Sequence, residues 1–184
     1  NFNKKNKIIF LKSILKWIRM SNNKHKLDSY PVSLRIVNWI FFIEKYNVRL
    51  KNNSLIIKSL FHDSNLLYNN IEYNLFGNHL FKNAKALIFA GLFFKSKISD
   101  KWLIKGFDIL QTQLSEQILS DGGHYELSPM YHSIFLQDLI EIYVIFKINN
   151  FKISYLPLVK SKILQMYEWL RIMTHPDGSI SLFN

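Results

Sequence analysis

The segment from Asp121 to His132, DGGHYELSPMYH, concentrates chemically versatile side chains in a single connection. It contains two histidines, two tyrosines and two adjacent glycines, and it lies between two long segments in which apolar residues recur at helical spacing. Histidine and tyrosine are side chains that transfer protons in enzymes. This connection is therefore the first candidate for a functional site.

The pair Ser128-Pro129 predicts that a helix starts here, because Ser is a favoured N-cap and Pro is favoured at the first helical position. Tyr131 and His132 then lie in the first turn, where unpaired backbone N–H groups and the helix dipole create a positive field. Such a field stabilises a phenolate or a nearby anionic substrate group, which makes Tyr131 a candidate for acid–base catalysis. The alternative is a tyrosine packed under a loop with its hydroxyl hydrogen bonded.

A second candidate is the pair Asn78-His79. Gly77 predicts the end of one helix and Asn78 the N-cap of the next. An N-cap alone explains Asn78, but an amide and an imidazole together at a helix start also suit the carboxylate of a ligand. Glu126 is expected to accept hydrogen bonds from loop amides or to orient His124. The six histidines form no HExxH pattern and cysteine is absent, so we expect no metal site and no cofactor.

The elements that must position these residues are predicted to be helices. Apolar residues recur at helical spacing almost throughout, no convincing strand pair is present, and the 6 Gly and 4 Pro are too few for a fold with many tight turns. The fold class is therefore all-α, with antiparallel neighbours joined by short connections. The predicted helices span 4–20, 31–46, 54–75, 79–94, 100–119, 129–148 and 156–173.

Alternate connections of an antiparallel helical array lie at the same end. Counting from Ser54, the first, third and fifth connections are GNH, DGGHYELS and HPDG, whereas KSKISD and NNFKIS belong to the opposite end. The connection parity therefore predicts that the polar candidates gather on one rim. They are Asn78, His79, His124, Tyr125, Glu126, Tyr131, His132 and His175.

The formal net charge is +11, from 24 Lys and Arg against 13 Asp and Glu. This balance suits a polyanionic partner, or it reflects the composition of a chain rich in Ile, Asn, Phe and Lys. Nucleic-acid binding would rest on charge alone, since no helix-turn-helix signature is present. No apolar run is long enough for a transmembrane span. Basic residues interrupt Lys4–Met20, so we expect an amphipathic helix there and no signal peptide; a membrane-surface helix is the alternative.

Four collinear segments resemble the N-terminal helical domain of the heparinase II/III family. They are YPVSLRIVNWI at 30–40, NNIEYNLFGNHLFKNAKALIFAGLFF at 69–94, EQILSDGGHYELSPMYHSIFLQDL at 116–139 and HPDGSISLFN at 175–184. The resemblance implies an incomplete (α/α) toroid of antiparallel helical hairpins with 30–184 as its core. Residues 1–29 would precede this core as a basic leading helix. It also implies a fragment of a longer, periplasmic or secreted chain whose C-terminal β-sandwich domain is absent from residues 1–184.

Lyases of this family cleave acidic polysaccharides by β-elimination next to a uronic acid, and the resemblance carries their roles to three residues. Asn78 would neutralise the uronate carboxylate, His79 would assist or act as a base, and Tyr131 would transfer protons. His124, Tyr125, Glu126, His132 and His175 would then bind the substrate. A further family histidine usually comes from beyond the region that residues 1–184 represent.

Two functions are consistent with this pattern. The first is the helical half of a uronate-polysaccharide lyase, and the second is a toroid that binds an acidic glycan in polysaccharide biosynthesis or processing without cutting it. Retention of Asn78, His79 and Tyr131 together favours the lyase, because binding alone does not require all three.

Overall fold

Serine side chains begin three of the helices. A computed structural model describes residues 2–20, 28–51, 54–75 and 77–181. Ser54, Ser96 and Ser128 each accept a hydrogen bond from a backbone N–H in the first turn of the helix that follows. The helices are α1 (Phe2–Met20), α2 (Ser29–Lys45), α3 (Leu55–Asn69), α4 (Asn78–Phe94), α5 (Lys97–Gln117), α6 (Pro129–Ile148) and α7 (Leu156–Ile172), with a short 3-10 turn at Ile153–Tyr155.

The predicted all-α class is confirmed, and in the described residues the β pairing is limited to two isolated bridges, Ile118–His124 and Thr174–Ile180. Two predicted boundaries were wrong. Helix α3 ends at Asn69 and not near Leu75, because residues 70–75 form a separate connection. Helix α5 begins at Lys97 and not at Asp100, since Ser96 and Ser99 form a reciprocal capping box one turn earlier.

Helices α2, α4 and α6 run parallel to each other. Successive contacts between α2 and α4 join Tyr30 to His79 and Phe41 to Phe89, so both helices advance in the same direction. Between α4 and α6, Phe81 stacks on Phe135 and Lys85 pairs with Asp138 one turn later. Because these three helices are parallel, their N-termini lie at the same end of the molecule.

Helix α4 is the centre of the structure and is buried on nearly all sides. Small residues of α4 and α5 allow the two helices to approach closely. A Cβ added at Gly91 would lie 2.5 Å from the Cβ of Leu103, and one at Gly106 would lie 2.7 Å from the backbone oxygen of Ala84. The α4–α5 contact thus fixes the helix that carries Asn78 and His79.

Helix α1 packs against α2 as an amphipathic helix. Its buried face centres on Ile14, with Leu11 and Leu15 also packed against the core and Trp17 edge-on to Trp39 at 5.6 Å. Residues 21–27 of the predicted leading segment 1–29 lie outside the described residues, as do 182–184 of the last motif. Within the described part of the chain, no helix is long and apolar enough to cross a membrane.

Candidate functional site

Three helix starts lie side by side at one end of the molecule. Tyr30 is in the first turn of α2, Asn78 and His79 open α4, and Tyr131 is the third residue of α6. The rings of Tyr30 and His79 stack with their centroids 4.4 Å apart. Burial raises the pKa of Tyr30, and the negative charges of Asp138 and of ionised Tyr131 raise it further. Tyr30 is thus near both the start of α4 and the start of α6.

The connections before α4 and before α6 touch at Gly77. The Oη of Tyr125 and the Oε1 of Glu126 would lie 2.5 and 2.7 Å from a Cβ added at this glycine. Gly77 has φ 75° and ψ −136° and is the N-cap of α4, so the predicted N-cap role of Asn78 was wrong. Only glycine adopts this backbone conformation readily. As a result, Asn78 is the first helical residue, and its amide is not used as a cap.

Gly77→Ala is expected to lower the free energy of unfolding by roughly 2 kcal/mol, because alanine is strained at this φ and ψ and its methyl group meets Tyr125 and Glu126. Urea denaturation of the two proteins measures the difference. Gly178→Ala is the matched control, since Gly178 also has positive φ (84°) but has no atom within 4 Å of an added Cβ. If Gly77→Ala lowers the free energy of unfolding no more than Gly178→Ala does, the contact between the connections before α4 and before α6 is contradicted.

A buried hydrogen-bond network fixes the connection between α5 and α6. Gln117 donates from Nε2 to the backbone oxygen of Gly77 at 3.1 Å and also bonds Gln113, so its Oε1 faces the Nε2 of His124, 3.0 Å away. That oxygen can only accept, so Nε2 of His124 carries the proton. Nδ1 of His124 then accepts the backbone N–H of Glu126 at 3.4 Å. The network holds Glu126 and Gly77 together through one neutral imidazole.

Both histidines of the connection are fully buried. His124 and His132 have 0% exposed surface, and burial lowers the pKa of each, that of His124 to about 4. His132 stacks on Trp169 at 4.5 Å and its Nε2 lies 2.9 Å from the backbone oxygen of Met166 in α7. The prediction that these two side chains contact substrate is therefore corrected, since a fully buried ring cannot reach a ligand. They anchor the connection to α5 and α7 instead.

Tyr125 and Glu126 lie at the surface of the same connection. Tyr125 is 39% exposed, and its pKa is raised by burial of part of the ring, then by the charge of Glu126 and a hydrogen bond to its carboxylate. Both side chains lie at Gly77, next to Asn78. His175 is exposed in the turn after α7, where its backbone N–H donates to Ser179. Among the described residues, no hydrogen bond or ring contact joins His175 to Gly77, Tyr125 or Tyr131.

Sequence patterns did not predict two residues of the site, Tyr30 and Glu72. The Oε2 of Glu72 lies 3.4 Å from Nδ1 of His79, and Glu72 is itself held by the buried side chain of Asn83. Tyr30 was missed because the connection count began at Ser54, one helix after Tyr30. Extending the count backwards would have placed the start of α2 on the same rim. Glu72 has no such signal, because it belongs to a stretch predicted to continue α3.

A cavity of about 170 Å³ lies one turn below the three helix starts. Its floor is an ionic cluster: Lys82 and Lys85 approach Asp138 at 2.6 and 2.7 Å, and Lys85 also pairs with Glu141. Two lysines and two carboxylates leave no net charge. Removing one partner of such a buried group is costly, so the cluster holds α4 and α6 at a fixed spacing. It thereby fixes the separation between Asn78 and Tyr131.

The arrangement can bind an anion and transfer protons. Three N-terminal helix ends lie at one end of the molecule, and each contributes the partial positive charge of its first turn. An amide, an imidazole and a phenol lie in those first turns, at Asn78, His79 and Tyr131. Among the described residues, no group of three or more His, Asp or Glu side chains is arranged to hold a metal ion.

The family model described as "Heparinase II/III N-terminus" matches residues 26–184 of the chain. Two curated relatives are both named "Heparin-sulfate lyase". That of Bacteroides stercoris is 41% identical over 61 residues, which are 33% of this chain and 9% of the relative. That of Pedobacter heparinus is 32% identical over 121 residues, which are 63% of this chain and 18% of the relative. The chain thus matches less than a fifth of the length of either relative.

Solved structures share the fold. A structure described as "Crystal Structure of Heparinase III" superposes with a TM-score of 0.76 at 24% identity, over 94% of this chain and 30% of that one. A mutant of the heparan sulfate lyase HepC from Pedobacter heparinus gives a TM-score of 0.70 at 20% identity, over 98% of this chain and 30% of that one. At these identities the likeness establishes the fold.

Proposed function

Because this chain belongs to the heparinase II/III family, whose N-terminal model matches residues 26–184, we propose that it is the helical part of a lyase that cleaves acidic polysaccharide by β-elimination. The observation that carries the proposal is the meeting of three parallel helix starts, which hold Tyr30, Asn78, His79 and Tyr131. Closure of the helical hairpins into a toroid, and completion of the site by a histidine from outside residues 1–184, are part of the same proposal.

The chemistry requires an anion-binding group, a base and an acid around one sugar. β-Elimination removes the C5 proton of a uronate and expels the oxygen at C4, leaving a double bond between C4 and C5. The C5 proton is weakly acidic until the neighbouring carboxylate is neutralised, and fixed donors in the site stabilise the charge that develops on it. We assign carboxylate binding to Asn78, supported by the free N–H groups at the start of α4.

Proton transfer is assigned to Tyr131 and His79. Tyr131 lies in the first turn of α6, close to the positive end of that helix. It would protonate the leaving oxygen and, for one sugar epimer, also remove the C5 proton. His79 would assist as a base. Tyr125 and Glu126, next to Gly77, would contact the neighbouring sugar units of the polysaccharide. The exposed His175 would contact the polysaccharide as well.

The substrate class proposed is a uronate-containing glycosaminoglycan. Both curated relatives are named heparin-sulfate lyases, which places heparan sulfate before alginate among the polymers to test. The formal charge of +11 suits either polyanion.

The test is incubation of the natural full-length protein with heparan sulfate, alginate and an uncharged polysaccharide as the control. A 4,5-unsaturated uronate absorbs ultraviolet light, so product formation is followed directly. An increase in absorbance with an acidic polymer, and none with the neutral one, supports the lyase. Tight binding of the acidic polymers with no product from any of them would replace the lyase by the glycan-binding alternative.

Asn78→Ala is expected to lower kcat about 100-fold, because the carboxylate neutralised in the transition state loses its amide donor. The measurement is the initial rate of ultraviolet absorbance with a saturating polymer. Asn65→Ala is the matched control, since Asn65 is exposed on α3, and its rate should equal that of the unmodified protein. Equal rates for Asn78→Ala and Asn65→Ala would remove Asn78 from the mechanism.

A further inference from the structure

One ring nitrogen of His79 is buried against a carboxylate. The side chain of His79 is 43% exposed, yet its Nδ1 is buried, and the Oε2 of Glu72 lies 3.4 Å away. In the described part of the chain no hydrogen-bond partner reaches this Nδ1. The exposed fraction of the ring therefore belongs to its other edge, which includes Nε2.

The chemistry of the carboxylate determines which nitrogen carries the proton. An ionised carboxylate accepts hydrogen bonds and cannot donate them. If Nδ1 were unprotonated, its lone pair would face the negative oxygen of Glu72 in a buried position, which is repulsive. If Nδ1 carries the proton, the two groups attract each other. In neutral His79, Nε2 is then the unprotonated nitrogen.

Glu72 is itself held in place by a buried amide. Asn83 is 0% exposed, its Oδ1 accepts the backbone N–H of Glu72 at 2.9 Å, and its Nδ2 lies 3.3 Å from Oε2. The same Nδ2 donates to Ser33 on α2 at 3.1 Å. On its other side, the ring of His79 stacks on Tyr30. The carboxylate and the imidazole are thus both restricted by contacts from α2 and α4.

We propose that Glu72 is a positioning residue that holds His79 in the Nδ1–H tautomer, so that Nε2 is available at the site as a proton acceptor. The proposal adds to the assignment of His79 as a base. Only this role as a base rests on the proposed lyase function. The tautomer itself follows from Glu72, Asn83 and the burial of Nδ1, whichever reaction the protein catalyses.

The tautomer is measured by 15N NMR of the imidazole nitrogens in the natural full-length protein labelled at histidine, with His79→Gln to assign the signals. At a pH where His79 is neutral, the expected spectrum shows a protonated Nδ1 and an unprotonated Nε2. A protonated Nε2 in the unmodified protein overturns the proposal, and this outcome requires no variant and no enzymatic activity.

Two substitutions at Glu72 separate positioning from a structural contribution. Glu72→Gln keeps an oxygen towards Nδ1, because Asn83 donates to the same Oε2 and orients the amide, so the Nδ1–H signal should persist. Glu72→Ala removes the acceptor, and the Nε2–H tautomer should appear. The lyase kcat should fall roughly 10-fold in Glu72→Ala with little change in KM, and Glu72→Gln should restore most of it.

The matched control is Glu168→Ala, which removes an exposed carboxylate paired with Arg171 on α7 and should alter neither the spectrum nor kcat. An unchanged His79 tautomer in folded Glu72→Ala contradicts the proposal. Where the protein shows the Nδ1–H tautomer but cleaves no polymer, the proposed lyase function fails and the role of Glu72 in fixing His79 stands.

Discussion

Tyr131→Phe is expected to reduce kcat for polysaccharide cleavage about 1000-fold while substrate affinity changes little. Phenylalanine keeps the ring, which is half-buried at the start of α6, but it removes the group that would protonate the leaving oxygen. The loss belongs to the transition state, because the hydroxyl contributes there and the remaining contacts hold the substrate. Initial rates by ultraviolet absorbance give kcat, and polymer binding to the same variant is measured by calorimetry.

Tyr143→Phe is the matched control for this experiment. Tyr143 is also half-buried on α6, three turns after Tyr131 and away from the three helix starts, so its variant should retain full activity. A Tyr131→Phe protein that cleaves heparan sulfate at the rate of Tyr143→Phe would exclude Tyr131 as the acid. A fall in affinity with unchanged kcat would instead make Tyr131 a substrate-binding residue.

The helices were predictable because their signals are local. Ser128-Pro129 marks the start of α6 in the sequence and in the structure, and helical periodicity reports which residues face the core. The grouping of connections by parity follows from the antiparallel arrangement alone. In the structure, Gly77 lies against Tyr125 and Glu126, so the connections before α4 and before α6 are at the same end of the helices.

The errors arose where tertiary contacts decide the outcome. Asn78 has the residue type of an N-cap, but Gly77 takes that position because only glycine fits the backbone beside Tyr125. His124 and His132 have the types expected of substrate-binding residues, but their burial depends on Gln117 and Trp169. Those partners lie on α5 and α7, and no local pattern reports that the connection folds against both helices.

Hydrogen bonds to the adjacent helices α5 and α7 explain why the site tolerates two buried histidines. Each is neutral, and each bonds a group on an adjacent helix: His124 bonds the side chain of Gln117, and His132 bonds the backbone of Met166. A neutral imidazole can donate and accept at once, as His124 does between Gln117 and Glu126, so it joins two segments without burying a charge. This arrangement makes the connection rigid near neutral pH, and it also makes its stability dependent on pH.

Acidification from pH 7.5 to pH 4 is expected to remove about 3 kcal/mol of folding stability through His124 alone. Its pKa is about 4 in the folded protein, against about 6.5 in an unfolded chain. Because the folded pKa is the lower one, the unfolded chain binds more protons between these values. The contribution is therefore complete above about pH 6.5 and is lost as the pH falls towards 4. His132, whose pKa burial also lowers, acts in the same direction.

Urea denaturation at the two pH values measures this effect, and His124→Gln isolates it from the titration of carboxylates. The variant should be less stable than the unmodified protein at pH 7.5 but should lose about 3 kcal/mol less on acidification. His62→Gln is the control, since His62 is exposed on α3. The prediction is contradicted if His124→Gln and the unmodified protein lose equal stability between pH 7.5 and pH 4. In that case His124 is not held neutral by its burial, and the hydrogen-bond network of Gln117, Gly77 and Glu126 does not order the connection.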